Sequence, residues 1–322
     1  FENQISFNPK KALIIISMHV ANFKYIAHPW RLSDLLISQF QIFLSSDVAS
    51  FYLSLIASLF DQSPTYKKHR TMQCWSLLSQ LLESDIDDSD IFKQIYSILF
   101  SISNNNSEVK KCFQFLPVNN VIEHLKSPLL KNEVLSFIAI NASEFKSYPE
   151  LIKTLLVESR KNEKASLILL KLAEEESNAL ILISDDNWLQ ESLRTYLNTL
   201  KLIYTCLLHS KVRKLASKSK RILPLLIKAS KALNLNTMIM LYGIIQKLHL
   251  SSSMISDMSK YGLLINVIKA TNNNKDDTNS DKVLYRIFSL IANAGYTNEI
   301  LKLLELSSED IILQSDLYSV AL

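Results

Sequence analysis

The sequence predicts an all-α fold in which helices stack in series along the chain. Three observations carry that expectation. An average protein holds roughly 7% glycine, whereas these 322 residues hold three, Gly243, Gly262 and Gly295. Hairpins, positive-φ turns and phosphate-cradling loops normally draw on glycine, so β-rich and α/β folds are disfavoured. Apolar residues recur at helical spacing nearly from end to end, and short polar breaks separate the apolar runs.

Taken in chain order, "KKALIIIS" (Lys10 to Ser17) is too short to span a membrane, which needs about 18 apolar residues, and it lacks a signal-peptide cleavage pattern. Pro29 suits the first turn of a helix that carries Trp30; a core or capping aromatic and an exposed partner anchor both stay open for Trp30. "ESDIDDSD" (83–90) is a break. In "FKQIYSILFSIS" the residues Phe92, Ile95, Ile98, Leu99 and Ile102 form one stripe. "SNNNSE" (103–108), "NLNT" (234–237) and "HLSSS" (249–253) are further breaks. "TNNNKDDTNSD" (271–281) is long enough for a loop. Val283, Leu284, Ile287, Phe288, Ile291 and Ala292 make a last clear stripe.

The order of these elements repeats. A long apolar helix, a Ser/Asn-rich break, a weakly amphipathic segment and a second apolar helix recur in 94–127, 199–233 and 240–270. Asn120, Arg221 and Gly262 share one column. Val121-Ile122, Ile222-Leu223 and Leu263-Leu264 follow it, and then come Leu125, Leu226 and Val267. A period near 40 residues is the range of armadillo and HEAT units. "GIIQKLHLSSSMISDMSKYGLLINVIKA" resembles the armadillo pattern most closely, with Gly262 opening its final helix. The resemblance implies a right-handed α-solenoid of armadillo or HEAT type: one domain over 1–322, of about seven degenerate repeats, some of them partial. The approximate units are 8–47, 48–90, 91–129, 130–160, 161–198, 199–235, 236–272 and 278–310. It also implies a scaffold that binds proteins or extended peptides. Trp30, Trp75 and Trp188 are irregularly placed and do not resemble the recurrent Trp and Asn pairs of nuclear-import members. One such repeat cannot bury its own apolar face, so neighbours must stack.

Patterns for chemistry are sparse. Gly-x-Ser-x-Gly and P-loop motifs are absent, so neither hydrolase nor nucleotide chemistry is expected, and no cofactor. Cys206 and His209 form a lone Cys-x-x-His pair, read as a buried thiol and a helix-end imidazole because a metal needs more ligands. The acidic clusters Asp87-Asp88, Glu174-Glu175-Glu176, Asp185-Asp186 and Asp276-Asp277 read as solvated charge. Cys74, Cys112 and Cys206 form no disulfide framework and point to a reducing compartment, cytoplasmic or nuclear. The sequons at Asn105 and Asn141 are expected by chance. The chain opens on Phe1 rather than Met, so it reads as a piece of a longer protein in which any catalytic domain lies elsewhere.

Charge is the feature that points to a partner. From Ser192 to Ser256 there is no Asp or Glu, while eleven of the chain's 35 Lys and Arg fall there; the remainder sets 24 cations against 31 carboxylates. On a helix at 100° per residue, Lys211, Lys214, Lys218 and Arg221 fall within about 80° of one another. Val212, Leu215, Ala216 and Ser219 form the adjoining buried stripe, and Arg213 and Lys220 lie on the other flank. A break near Ser219 would instead place Lys220 and Arg221 at the start of the next helix, where cations are unfavourable unless an anion sits on them. The candidate partner-binding residues are Lys211, Arg213, Lys214, Lys218, Lys220, Arg221, Lys228 and Lys231. Three readings stay open: a solvated or internally paired face, an acidic or phosphorylated protein segment, and nucleic acid or anionic lipid. Tyr196, Tyr204 and Tyr242 sit at stripe positions rather than as exposed platforms, which disfavours single-stranded nucleic acid.

Overall fold

The computed structural model describes residues 49–62, 64–84, 88–104, 106–145, 148–184, 195–219, 222–232, 234–273, 278–293 and 295, and among these every regular element is a helix. The chain divides into two compact units, Phe1–Glu144 and Phe145–Leu322. The expectations for the segment 8–47, including Trp30, and for Trp188, Asp185-Asp186 and Asp276-Asp277, lie outside the described residues.

In the first unit α1 (Ala49–Gln62), α2 (Pro64–Leu82) and α3 (Ser89–Ser103) precede α4 (Val109–Cys112), which runs into a 3-10 turn, Phe113–Phe115. Next come α5 (Val118–Lys126), α6 (Lys131–Ile140) and a second 3-10 turn, Ala142–Glu144. Helix α1 packs on α3 and α3 on α6, while α2 lies against α1, α3 and α4. The core is aromatic at its centre. Trp75 stands 6.0 Å from both Phe113 and Phe137, and Phe137 stands 5.8 Å from Tyr96. The predicted stripe of α3 is the buried one: Phe92, Ile95, Ile98, Leu99 and Ile102 all face inward.

The second unit holds α7 (Pro149–Ser159), α8 (Glu163–Leu172), α9 (Glu176–Ser184), α10 (Tyr196–Cys206) and α11 (Ser210–Ser219). Then follow α12 (Leu223–Ala229) with a 3-10 extension Ser230–Ala232, α13 (Leu235–Lys247), α14 (Ser252–Lys260), α15 (Leu263–Asn273) and α16 (Thr278–Asn293). Helices α8, α10, α13 and α16 pack one on the next. Helix α9 packs on α11, α12 on α14, and the 3-10 extension on α15. Parts of the predicted loop 271–281 are helical, since α15 runs to Asn273 and α16 begins at Thr278.

The polar breaks do local work. Asp88 caps α3, accepting from the N–H groups of Asp90 and Ile91 at 2.8 and 3.3 Å. Asn162 caps α8, Thr195 caps α10 and Ser251 caps α14. Asn234 and Thr237 form a reciprocal capping box at the head of α13. Each cap satisfies an N–H that a helix start leaves without an intrahelical partner.

Side chains also tie positions about one helical group apart. In the first unit Asn106 donates to Thr71 Oγ1 at 2.7 Å, Asn120 to the Leu82 carbonyl at 2.8 Å, and Asn141 to Ser103 Oγ at 3.0 Å. In the second, Asn178 donates to the Phe145 carbonyl, Asn266 to Ser230 Oγ, and the His249 N–H to Ser217 Oγ. These links join residues 32 to 38 positions apart.

Candidate basic surface on helix α11

Helix α11 forms where the cationic run was expected to be helical, and it ends at Ser219. Its buried side is the pair Val212 and Ala216, one turn apart; Leu215 is half-buried. Lys211, Lys214 and Lys218 are exposed on the same helix, at the i, i+3 and i+7 positions that share one face. Three of the four cations expected to share a face are thus exposed along α11. Lys220 and Arg221 lie outside the described residues.

The three cations differ in their surroundings. Lys211 Nζ donates to Glu176 Oε1 at 2.7 Å. Glu176 is the first residue of α9, where a carboxylate also benefits from the positive end of the helix dipole. The hydrogen bond to Glu176, followed by its charge, raises the pKa of Lys211 above the usual lysine value. Lys214 and Lys218 form no ion pair with any described residue.

Arg213 is turned the other way. Its Nη1 donates to the Leu207 and Leu208 carbonyls at 3.4 Å each. These follow directly on α10, whose terminal carbonyls have no intrahelical donor, so Arg213 acts within the fold. Lys228, in the last turn of α12, and Lys231, in the 3-10 extension, are exposed on the next helical segment. Charge pattern alone did not separate these roles, because they depend on which helix lies beside each side chain. Glu176, counted among solvated carboxylates, is the residue that sequence reasoning missed; its only signal was its place at the start of a helix.

Other candidate residues resolve into structural roles. Cys206 is buried, and burial pushes its thiol up to about 12. His209 donates from Nε2 to the Ala173 carbonyl at 3.0 Å. Burial likewise raises the Cys74 and Cys112 thiols. Among the described residues, no three His, Cys, Asp or Glu side chains gather as a metal ion would require. The amide of Asn141 is buried and donates to Ser103 Oγ and the Phe137 carbonyl, so that sequon is engaged inside the first unit. Tyr204 and Tyr242, expected on buried stripes, are half-buried, and Tyr285 on α16 is exposed.

No protein-family model matches the chain, and no curated protein matches it. Among the described residues no helix is long and apolar enough to cross a membrane.

Proposed function

We propose that the chain is a non-enzymatic interaction module, built as a right-handed α-solenoid of armadillo or HEAT type, that binds an acidic or phosphorylated segment of a partner protein. The three-helix groups α3–α5, α10–α12 and α13–α15 support the repeat reading, as do the hydrogen bonds between residues 32 to 38 positions apart. Lys214 and Lys218 carry the binding reading: they stand exposed one turn apart on α11, in a stretch of 65 residues without a carboxylate. A merely solvated helix face usually mixes both signs at i, i+4. Buried free thiols at Cys74, Cys112 and Cys206 fit a cytoplasmic or nuclear setting.

The test is charge reversal. Lys214→Glu with Lys218→Glu, and Arg221→Glu added, is expected to abolish binding of an acidic peptide while leaving the helical circular dichroism signal intact. Unchanged affinity would remove the assignment. A second reading, binding of nucleic acid or an anionic membrane surface through 192–256, draws support from the exposed Lys201 and from Tyr204 and Tyr242, which are half-buried rather than buried. It predicts affinity for RNA, DNA or anionic liposomes that falls steeply with salt, and little dependence on peptide sequence.

A further inference from the structure

We propose that Glu176 sets the specificity of the α11 surface by acting as the internal counter-ion of Lys211, so that Lys214 and Lys218, rather than Lys211, receive the bound anion. This rests on the reading that α11 binds an anionic protein segment. The Glu176 carboxylate and the Lys211 ammonium are 2.7 Å apart, with Lys211 71% and Glu176 35% exposed. An incoming anion can therefore reach Lys211 from solvent, but only by displacing Glu176. Along α11 the charge thus changes from Lys211, neutralised by Glu176, to Lys214 and Lys218, which form no ion pair with a described residue.

That order selects the ligand's length. Lys214 and Lys218 are four residues apart, so their Cα atoms are separated by about 6 Å along the axis. One phosphate monoester, with close to two charges and three acceptor oxygens, can be held by both flexible lysine side chains at once, and so can two neighbouring carboxylates. A long acidic run that continues toward α9 meets like charge there and gains nothing from Lys211. The shared chemistry is a compact anion of about two charges.

Three peptides in a neutral background distinguish the sources when titrated against the whole chain by fluorescence anisotropy: one phosphoserine, one Glu-Glu pair, and one run of eight Glu. The wild type is expected to bind at least one compact anion, and the long run no more tightly than the Glu-Glu pair. Glu176→Gln should tighten the long run about three- to fivefold, the scale of an exposed ion pair, and change the compact ligands less than twofold. Lys211→Gln should leave the compact ligands unaffected, whereas Lys214→Gln with Lys218→Gln should weaken them tenfold or more. Equal tightening of all three peptides by Glu176→Gln, or no tightening of the long run, overturns the role of Glu176 while leaving the surface reading intact. If the wild type binds no peptide, the surface reading fails and this inference falls with it. Thermal unfolding of each variant confirms that the fold is retained.

Discussion

Asn178 shows how polar side chains hold this apolar fold in register. Its amide is 1% exposed and donates to the Phe145 and Leu172 carbonyls at 3.3 and 3.1 Å. Removing it deletes two buried hydrogen bonds, although the Leu172 carbonyl keeps the Glu175 N–H at 3.2 Å; at about 1 kcal/mol per bond, Asn178→Ala is expected to lower the urea midpoint of unfolding. His124 makes a second residue-level case. Burial lowers its pKa below the ordinary 6.5, against a smaller opposing effect of Glu123. Its Nδ1 lies 2.9 Å from the Tyr96 hydroxyl and its ring 4.4 Å from Phe92. The unfolded chain takes up a proton near pH 6.5, whereas the folded chain resists it to lower pH. Stability is therefore complete above that value and declines as pH falls through it toward the folded pKa. The melting temperature should drop on acidification below pH 6.5, and His124→Gln should flatten that dependence. A profile unchanged by the substitution would show that His124 is not its source. Neither residue was legible in the sequence as a contact. Asn and Ser abound in this chain, and a link across 33 residues leaves no periodic trace of its own.

Elements were far more legible, because a helix is a local structure with a local signature. The columns of the three aligned groups emerge as core: Val121, Ile222, Leu263, Leu264, Leu125, Leu226 and Val267 are all 0% exposed. The column before them is solved in two ways. Gly262 follows α14 with φ of +75°, its N–H bonded to the Ser259 carbonyl at 3.0 Å, a left-handed exit that glycine takes without penalty. Asn120, at the same column, lies inside α5 and donates to the Leu82 carbonyl. Hence Gly262→Ala should cost about 1–2 kcal/mol through backbone strain alone, since a Cβ there would meet no atom within 4 Å. Gly262→Asn should cost less, and equal losses would point to a cause other than the left-handed backbone. At Gly243 the conflict is one of space: a Cβ would stand 3.0 Å from Tyr204 Cε2. Alanine gains about 1 kcal/mol of helix propensity there. The half-buried Tyr204 ring must give by a few tenths of an ångström to admit the methyl, so the two effects oppose and Gly243→Ala should change stability by less than about 1 kcal/mol in chemical denaturation. Gly243→Leu cannot balance in this way and should destabilise by about 1–3 kcal/mol.

At the scale of the whole molecule, the described helices find their main partners close by in the chain. Helix α13 packs on α10 and on α16, and α3 on α1 and α6. Serial stripes and breaks made that order legible in the sequence. The pairing of α9 with α11, and with it Glu176 against Lys211, was not legible, because charge runs say nothing about which helices become neighbours. Packing that reaches only nearby elements gives stability that is a sum of local terms, so a defect should be felt locally. Leu241 lies on α13 and is 0% exposed. Leu241→Ala removes buried methyl groups and leaves a cavity, which costs about 2–5 kcal/mol. Native-state hydrogen exchange should then show the largest loss of protection in α10, α13 and α16, with α1, α2 and α3 retaining theirs. Uniform loss across both sets of helices would instead mean that the chain unfolds as one cooperative body, and the serial account of its stability would have to be abandoned.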